Sequence, residues 1–152
     1  TQGRRCAAPA EQVDIAPTLA QLAGIQPPAL WEGHSLLGAC QDASASATPA
    51  AGASPLSAAA LNAPAFSMNF EQNPRYAALR TGSIAVIDGR WKLVHYIGRL
   101  HYPLMPPLHD TLYDLASDPG ETVNQAAAHP AEVARLRALI DAGLARHGGP
   151  AP

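Results

Sequence analysis

Two runs rich in β-branched and aromatic residues, Ser83-Ile-Ala-Val-Ile87 and Trp91-Lys-Leu-Val-His-Tyr-Ile97, stand either side of Asp88-Gly89. No other feature of the chain constrains its fold so tightly. Side chains of this type suit the pleated strand. Asp-Gly between two such runs marks a hairpin, because glycine tolerates the positive φ that a tight turn demands. In the second run Trp91, Leu93, His95 and Ile97 share one face, while Lys92, Val94 and Tyr96 share the other. Neither face is purely polar, which points to a sheet held between a helix and a larger body. Thr111-Leu-Tyr-Asp-Leu115 reads as another short strand and Tyr76-Ala-Ala-Leu-Arg-Thr81 as a weaker one. Asp118-Pro-Gly-Glu121 reads as a turn.

The tail carries the clearest helical period. His129-Pro130 precedes it, and Val133, Leu136, Ile140 and Leu144 follow at spacings of three and four. Leu139 widens that stripe, Glu132, Arg135 and Arg137 lie off it, and Gly148-Gly149-Pro150 ends it. A second, shorter helix is expected over Val13–Gly24. There Asp14 is placed to cap the first turn, Pro17 sits where a missing N–H costs little, and Gly24 offers a left-handed stop. Ile15, Leu19 and Leu22 give this helix one apolar face. Pro27-Pro28 blocks its resumption, and Trp31-Glu-Gly-His-Ser-Leu-Leu-Gly38 reads as a turn entering an extended piece.

Composition matters where these elements stop. Between about Asp42 and Ala65 the chain is almost wholly Ala, Ser, Pro and Thr, too poor in large apolar side chains to offset the entropy of ordering. A mobile surface loop or insertion is expected there, with a poly-Ala helix around Ser57–Leu61 as the competing local reading. Only two Phe and two Trp, with four Tyr, serve the whole 152 residues, so the core must be modest. The formal net charge is −2 and no basic run exceeds Arg4-Arg5, which excludes a nucleic-acid-binding stripe. No stretch approaches the roughly 20 apolar residues of a membrane span. Cys6 and Cys40 are too few for a disulfide framework; they are free thiols or one bridge, and the compartment stays open.

Two segments together resemble the sulfatase family, within the alkaline phosphatase superfamily. Val13-Asp-Ile-Ala-Pro-Thr-Leu-Ala-Gln-Leu-Ala-Gly-Ile25, followed by Glu32-Gly-His-Ser-Leu-Leu37, is similar to the family's "DI-x-PTL-x-x-LAGI" and "DG-x-SLL", with Glu32 where Asp is commoner. Arg80-Thr81, Gly89-Arg-Trp-Lys-Leu-Val-His-Tyr96 and Leu112-Tyr-Asp-Leu-Ala-Ser-Asp-Pro-Gly-Glu-Thr-Val-Asn124 are similar to the signature of its C-terminal subdomain. The resemblance covers most of residues 13–37 and 76–145. It implies an α+β chain: a small antiparallel β-sheet packed with a C-terminal helix, preceded by a helix from the end of the larger α/β catalytic domain. On that reading residues 1–39 close the catalytic domain, 40–65 form the Ala/Ser/Pro-rich loop, 66–147 form the C-terminal subdomain, and 148–152 are a disordered tail.

The resemblance also implies chemistry that this stretch does not contain. Sulfatases use a formylglycine nucleophile made from the Cys or Ser of a C/S-x-P-x-R motif, and a divalent cation, Ca or Mg, held by Asp, Asn or His. Cys6 lies in Cys-Ala-Ala-Pro-Ala and Cys40 in Cys-Gln-Asp-Ala-Ser, and neither fits the motif. No Asp-Asp pair occurs. In the family these residues lie N-terminal to the aligned region, so the expected partner is a missing N-terminal catalytic domain. No catalytic, cofactor or metal residue is expected in this chain, and the chain alone is expected to be inactive. The rival readings are a phosphodiesterase or a phosphoethanolamine or phosphoglycerol transferase of the same superfamily, or a non-catalytic binding module.

Four side chains remain candidates for contact with an anionic substrate at a cleft wall: Arg80, Lys92, His34 and Tyr102. Two have a structural alternative, an interdomain hydrogen bond for Arg80 and a snorkelling stem for Lys92. Tyr102 belongs to the proline-rich connector Arg99–Pro107, which also holds Met105. His95, His101 and His109, with Asp110 and Asp114, match no standard metal-ligand spacing and are set aside.

Overall fold

A computed structural model describes residues 9–37, 63–70, 81–98 and 109–146 of the chain. The chain divides into two compact units, residues 1–63 and 64–152. The Tyr76–Thr81 strand, the Arg99–Pro107 connector, most of the Ala/Ser/Pro-rich loop, both cysteines and the 148–152 tail lie outside the described residues, apart from Thr81 itself.

In the first unit a single 3-10 turn, Gln12–Asp14, runs into helix α1, Ile15–Leu22. Gly24 follows with φ +69°, the left-handed stop expected from its position. Asp14 departs from the expected role. Its side chain makes no capping bond to the first turn of α1. It reaches back instead, so that the Glu11 N–H donates to Asp14 Oδ2 (2.8 Å). The buried side of α1 is formed by Asp14, Pro17 and Ala20, while Ile15, Leu19 and Leu22 face outward. The apolar stripe exists, but it is not the face this unit buries.

The second unit is α+β. Strands β1 (Ala65–Asn69), β2 (Gly82–Asp88), β3 (Trp91–Ile97) and β4 (Thr111–Asp114) form one antiparallel sheet in the order β1-β2-β3-β4. Helix α2, Pro130–Arg146, packs on it. Register pairs Asp88 with Trp91, so the hairpin loop is the two residues Gly89-Arg90, with Gly89 at φ +60°. Glycine in the first of two turn positions matches the twist of the flanking strands. β1 was not anticipated: Ala-Phe-Ser-Met-Asn offers only two large apolar side chains and no β-branched residue, and it begins at Ala65, where the loop was expected to end.

The core is a single layer. Ile84 and Val86 from β2, Leu93 and Ile97 from β3, and Leu112 from β4 meet Leu136, Ile140 and Leu144 of α2. Their alternation along the strands and their spacing of four on the helix are the two periods read from the sequence. Phe66, Trp91, Val133 and Leu139 close its margins. Arg135 adds a bond to Asp88 at the hairpin end, tying helix to sheet from outside the core. Among the described residues, no helix is long and apolar enough to cross a membrane.

Candidate functional site

The residues that gave the family resemblance turn out to bind one another. On β4, Asp114 accepts from Arg90 Nε at Oδ1 (2.7 Å) and from the Arg90 terminal nitrogen at Oδ2. The same carboxylate accepts from the Ala116 N–H (3.1 Å) and the Ser117 hydroxyl (2.8 Å). One buried carboxylate thus joins the hairpin loop to the turn that leaves β4. Another turn begins directly after it, at Asp118. The Thr122 and Val123 N–H groups donate to Asp118 Oδ2, each at 2.8 Å. Glu121, the one described non-glycine residue at positive φ (55°), sits between them and accepts from Lys92 Nζ at both oxygens (2.7 Å each). Asn124 Oδ1 accepts from the Leu112 N–H (3.0 Å) while the Gln125 N–H donates to the Leu112 carbonyl (2.8 Å). That strap occupies the outer backbone groups of β4 at Leu112.

The electrostatics follow from these bonds. The Arg90 guanidinium, assisted by Ser117 and the Ala116 N–H, holds the Asp114 carboxyl far below the usual carboxylate range, although burial works against it. The N–H of Val123, then the hydroxyl and N–H of Thr122, lower Asp118 in the same sense. Groups whose pKa falls on folding stabilise the fold above their unfolded value, about pH 4, and lose that contribution as pH falls toward the folded value. The sheet unit is therefore expected to lose denaturant resistance steadily between about pH 5 and pH 2. Asp114→Asn should flatten that slope and lower the neutral-pH midpoint; a urea midpoint series across this range, read by circular dichroism, checks both.

A second cluster fastens α2. His95, buried on β3, has Nδ1 2.7 Å from Asp110 Oδ1 and 2.7 Å from Arg137 Nη1. Arg137 also lies 3.6 Å from Asp110 Oδ2 and 3.4 Å from Asp141 Oδ1. Arg137 is not legible in this role from its position, which places it only off the apolar stripe of the helix. His109 is exposed, Asp114 is taken by Arg90, and His101 lies outside the described residues. Among the described residues no three His, Cys, Asp or Glu side chains lie together in a group suited to a metal ion.

In the first unit, Asp14 Oδ1 accepts from the His34 N–H (2.8 Å), and Thr18 Oγ1 accepts from the Leu36 N–H (2.9 Å) while donating to the Asp14 carbonyl (2.6 Å). Gly33, just before His34, passes so close to Val13 that a Cβ there would overlap its carbonyl. The Asp-x-x-x-Thr and Gly-His-Ser-Leu pieces of the motif are thus two sides of one clasp. Thr18 was not singled out in the sequence; its spacing of four from Asp14 on an alanine-rich helix was the available sign.

Of the four candidate contacts, Arg80 and Tyr102 lie outside the described residues. Lys92 is held by Glu121, with its side chain only 21% exposed. His34 is fixed through its backbone and its side chain is exposed. His34 belongs to the first unit and Lys92 to the second.

No protein-family model matches the chain, and no curated protein does. Solved structures share the fold. One is a protein of glycosaminoglycan metabolism in Bacteroides thetaiotaomicron, abbreviated 6S-sulf. It is 20% identical with a TM-score of 0.50, over 85% of this chain and 24% of that one. Another was solved in complex with its substrate D-glucosamine-2-N,6-O-disulfate. It is also 20% identical, with a TM-score of 0.55, over 89% of this chain and 24% of that one. The likeness is one of fold. The chain spans about a quarter of the length of each.

Proposed function

We propose that this chain is the C-terminal portion of a sulfatase-type hydrolase, acting on sulfuric esters, and that it contributes scaffold and cleft wall rather than reagents. The observation that carries the reading is the fold shared over 89% of the chain with a protein bound to a sulfated glucosamine, which the chain covers only to 24%. The motif residues support it from another side. Asp14, Gly33, Arg90, Asp114, Asp118 and Asn124 are engaged in holding backbone in place, the work expected of a scaffold.

On this reading the nucleophile and the divalent cation belong to sequence N-terminal to Thr1. The test is the polypeptide encoded upstream and in frame. A Cys or Ser in C/S-x-P-x-R is expected there, and its replacement by Ala should abolish sulfate release, a loss of at least about 1,000-fold for a covalent nucleophile. A bare Thr in its place, with phosphate-ester turnover, would move the chain to the phospho-transfer branch of the superfamily.

A further inference from the structure

His95 is buried on β3 beneath α2, and a single atom of it, Nδ1, stands 2.7 Å from Asp110 Oδ1 and 2.7 Å from Arg137 Nη1. That atom cannot serve both neighbours at once. A carboxylate oxygen only accepts, so the bond to Asp110 needs a proton on Nδ1. A guanidinium only donates, so the bond to Arg137 needs a bare lone pair there. The two bonds exclude each other, and the position of one proton decides between them.

The ring has few charged neighbours. Among the described residues Asp110 faces it from the position before β4 and Arg137 from α2, while β2 places Ile84 opposite it and β1 carries no ionisable side chain. Asp141 stands one turn further along α2 and accepts from Arg137 Nε at 3.4 Å. Its side chain is 45% exposed, so that contact is a weak anchor. Arg137 Nη1 also lies 3.6 Å from Asp110 Oδ2, too far for a hydrogen bond. The short bond that fixes the guanidinium to β3 is therefore the one to the ring. Two carboxylates against one guanidinium leave the group negative, and a proton on the ring brings it to neutrality. A buried imidazolium here has an opposite charge at bonding distance.

We propose that His95 is a proton-operated latch between α2 and β3. The neutral ring carries its proton on Nε2, accepts from Arg137 at Nδ1 and ties the helix to the sheet. A second proton, taken up from solvent at Nδ1, turns the same atom into a donor. The ring then bonds Asp110, and the bond from Arg137 is given up. Arg137 keeps its longer contacts to Asp110 and Asp141. Imidazole is the side chain whose charge ordinarily changes between about pH 5 and pH 8, so the attachment of α2 answers to acid before carboxylates do. The latch is independent of the sulfatase reading.

NMR of the imidazole and guanidinium nitrogens in the 152-residue chain tests it. At about pH 8 a bare Nδ1 and a protonated Nε2 are expected, and at about pH 5 a proton on both. Between the two, rotation of the Arg137 guanidinium about Nε–Cζ should quicken at least about 10-fold, the effect of losing one hydrogen bond from a charged group. In Arg137→Met the neutral ring should carry its proton on Nδ1, because Asp110 is then the sole partner of that atom. A proton on Nδ1 of the unsubstituted ring at about pH 8 would overturn the latch. So would guanidinium rotation that does not change as the ring gains its charge, or a ring that stays neutral until the chain unfolds. A proton that remains on Nε2 in folded Arg137→Met would do the same. Should that variant not fold, the spectra of the unsubstituted chain decide alone.

Discussion

Leu93→Ala should cost the sheet unit about 2–5 kcal/mol, the range for emptying a fully buried leucine site. Leu93 has no exposed surface and lies at the centre of the covered face, opposite Val86 on β2 and Leu112 on β4. Its strand is held between β2 and β4, so the sheet cannot collapse to fill the void. A domain of this kind is stable by only about 5–15 kcal/mol in total, so the substitution removes a large share of what is there. Urea denaturation followed by far-UV circular dichroism checks it. A loss below about 1 kcal/mol would mean that the α2–sheet core is not where this unit's stability resides.

Gly33→Ala is expected to open the first unit. The added Cβ meets backbone, the Val13 carbonyl and the Asp14 nitrogen, rather than the flexible end of a side chain. Residues 33–36 must lift, breaking the bonds from His34 to Asp14 and from Leu36 to Thr18. A hydrogen bond to a charged group contributes about 1.5–3 kcal/mol and a neutral one about 0.5–1.5. The combined loss, about 3 kcal/mol, should speed amide exchange at His34 and Leu36 by about 100-fold while leaving Leu93 and Leu112 unchanged. Unaltered exchange at both amides would show that the clasp does not hold the segment.

These two positions mark what the sequence disclosed. Leu93 could be placed by alternation alone, because a sheet with one face under a helix must bury every second residue. The spacing of three and four among Val133, Leu136, Ile140 and Leu144 placed α2 in the stretch where it is found. Gly33 was visible only as part of a familiar string; the reason for the glycine lies in a backbone approach across 20 residues. The ion pairs Arg90–Asp114 and Lys92–Glu121 span 24 and 29 residues and obey no local period. The apolar face of α1 was legible, but its direction was not: the periodicity of Ile15, Leu19 and Leu22 says that they share a face, and burial of that face depends on what lies beside it. β1 escaped for the opposite reason, since its pairing with β2 supplies order that Ala-Phe-Ser-Met-Asn does not advertise.

Scaffold and reagent make different demands on a chain, and on the proposed reading the bonds above serve the first. Asp14, Asp114 and Asp118 each accept from backbone N–H groups, and Asp114 from arginine as well. The assay that tests the proposed reading most directly is sulfate release from sulfuric esters, with the 152-residue chain and the full in-frame polypeptide side by side. The account predicts metal-dependent release by the full polypeptide and none by the 152 residues alone. Turnover by the isolated 152 residues, or inertness of the full polypeptide toward sulfate esters, would contradict it.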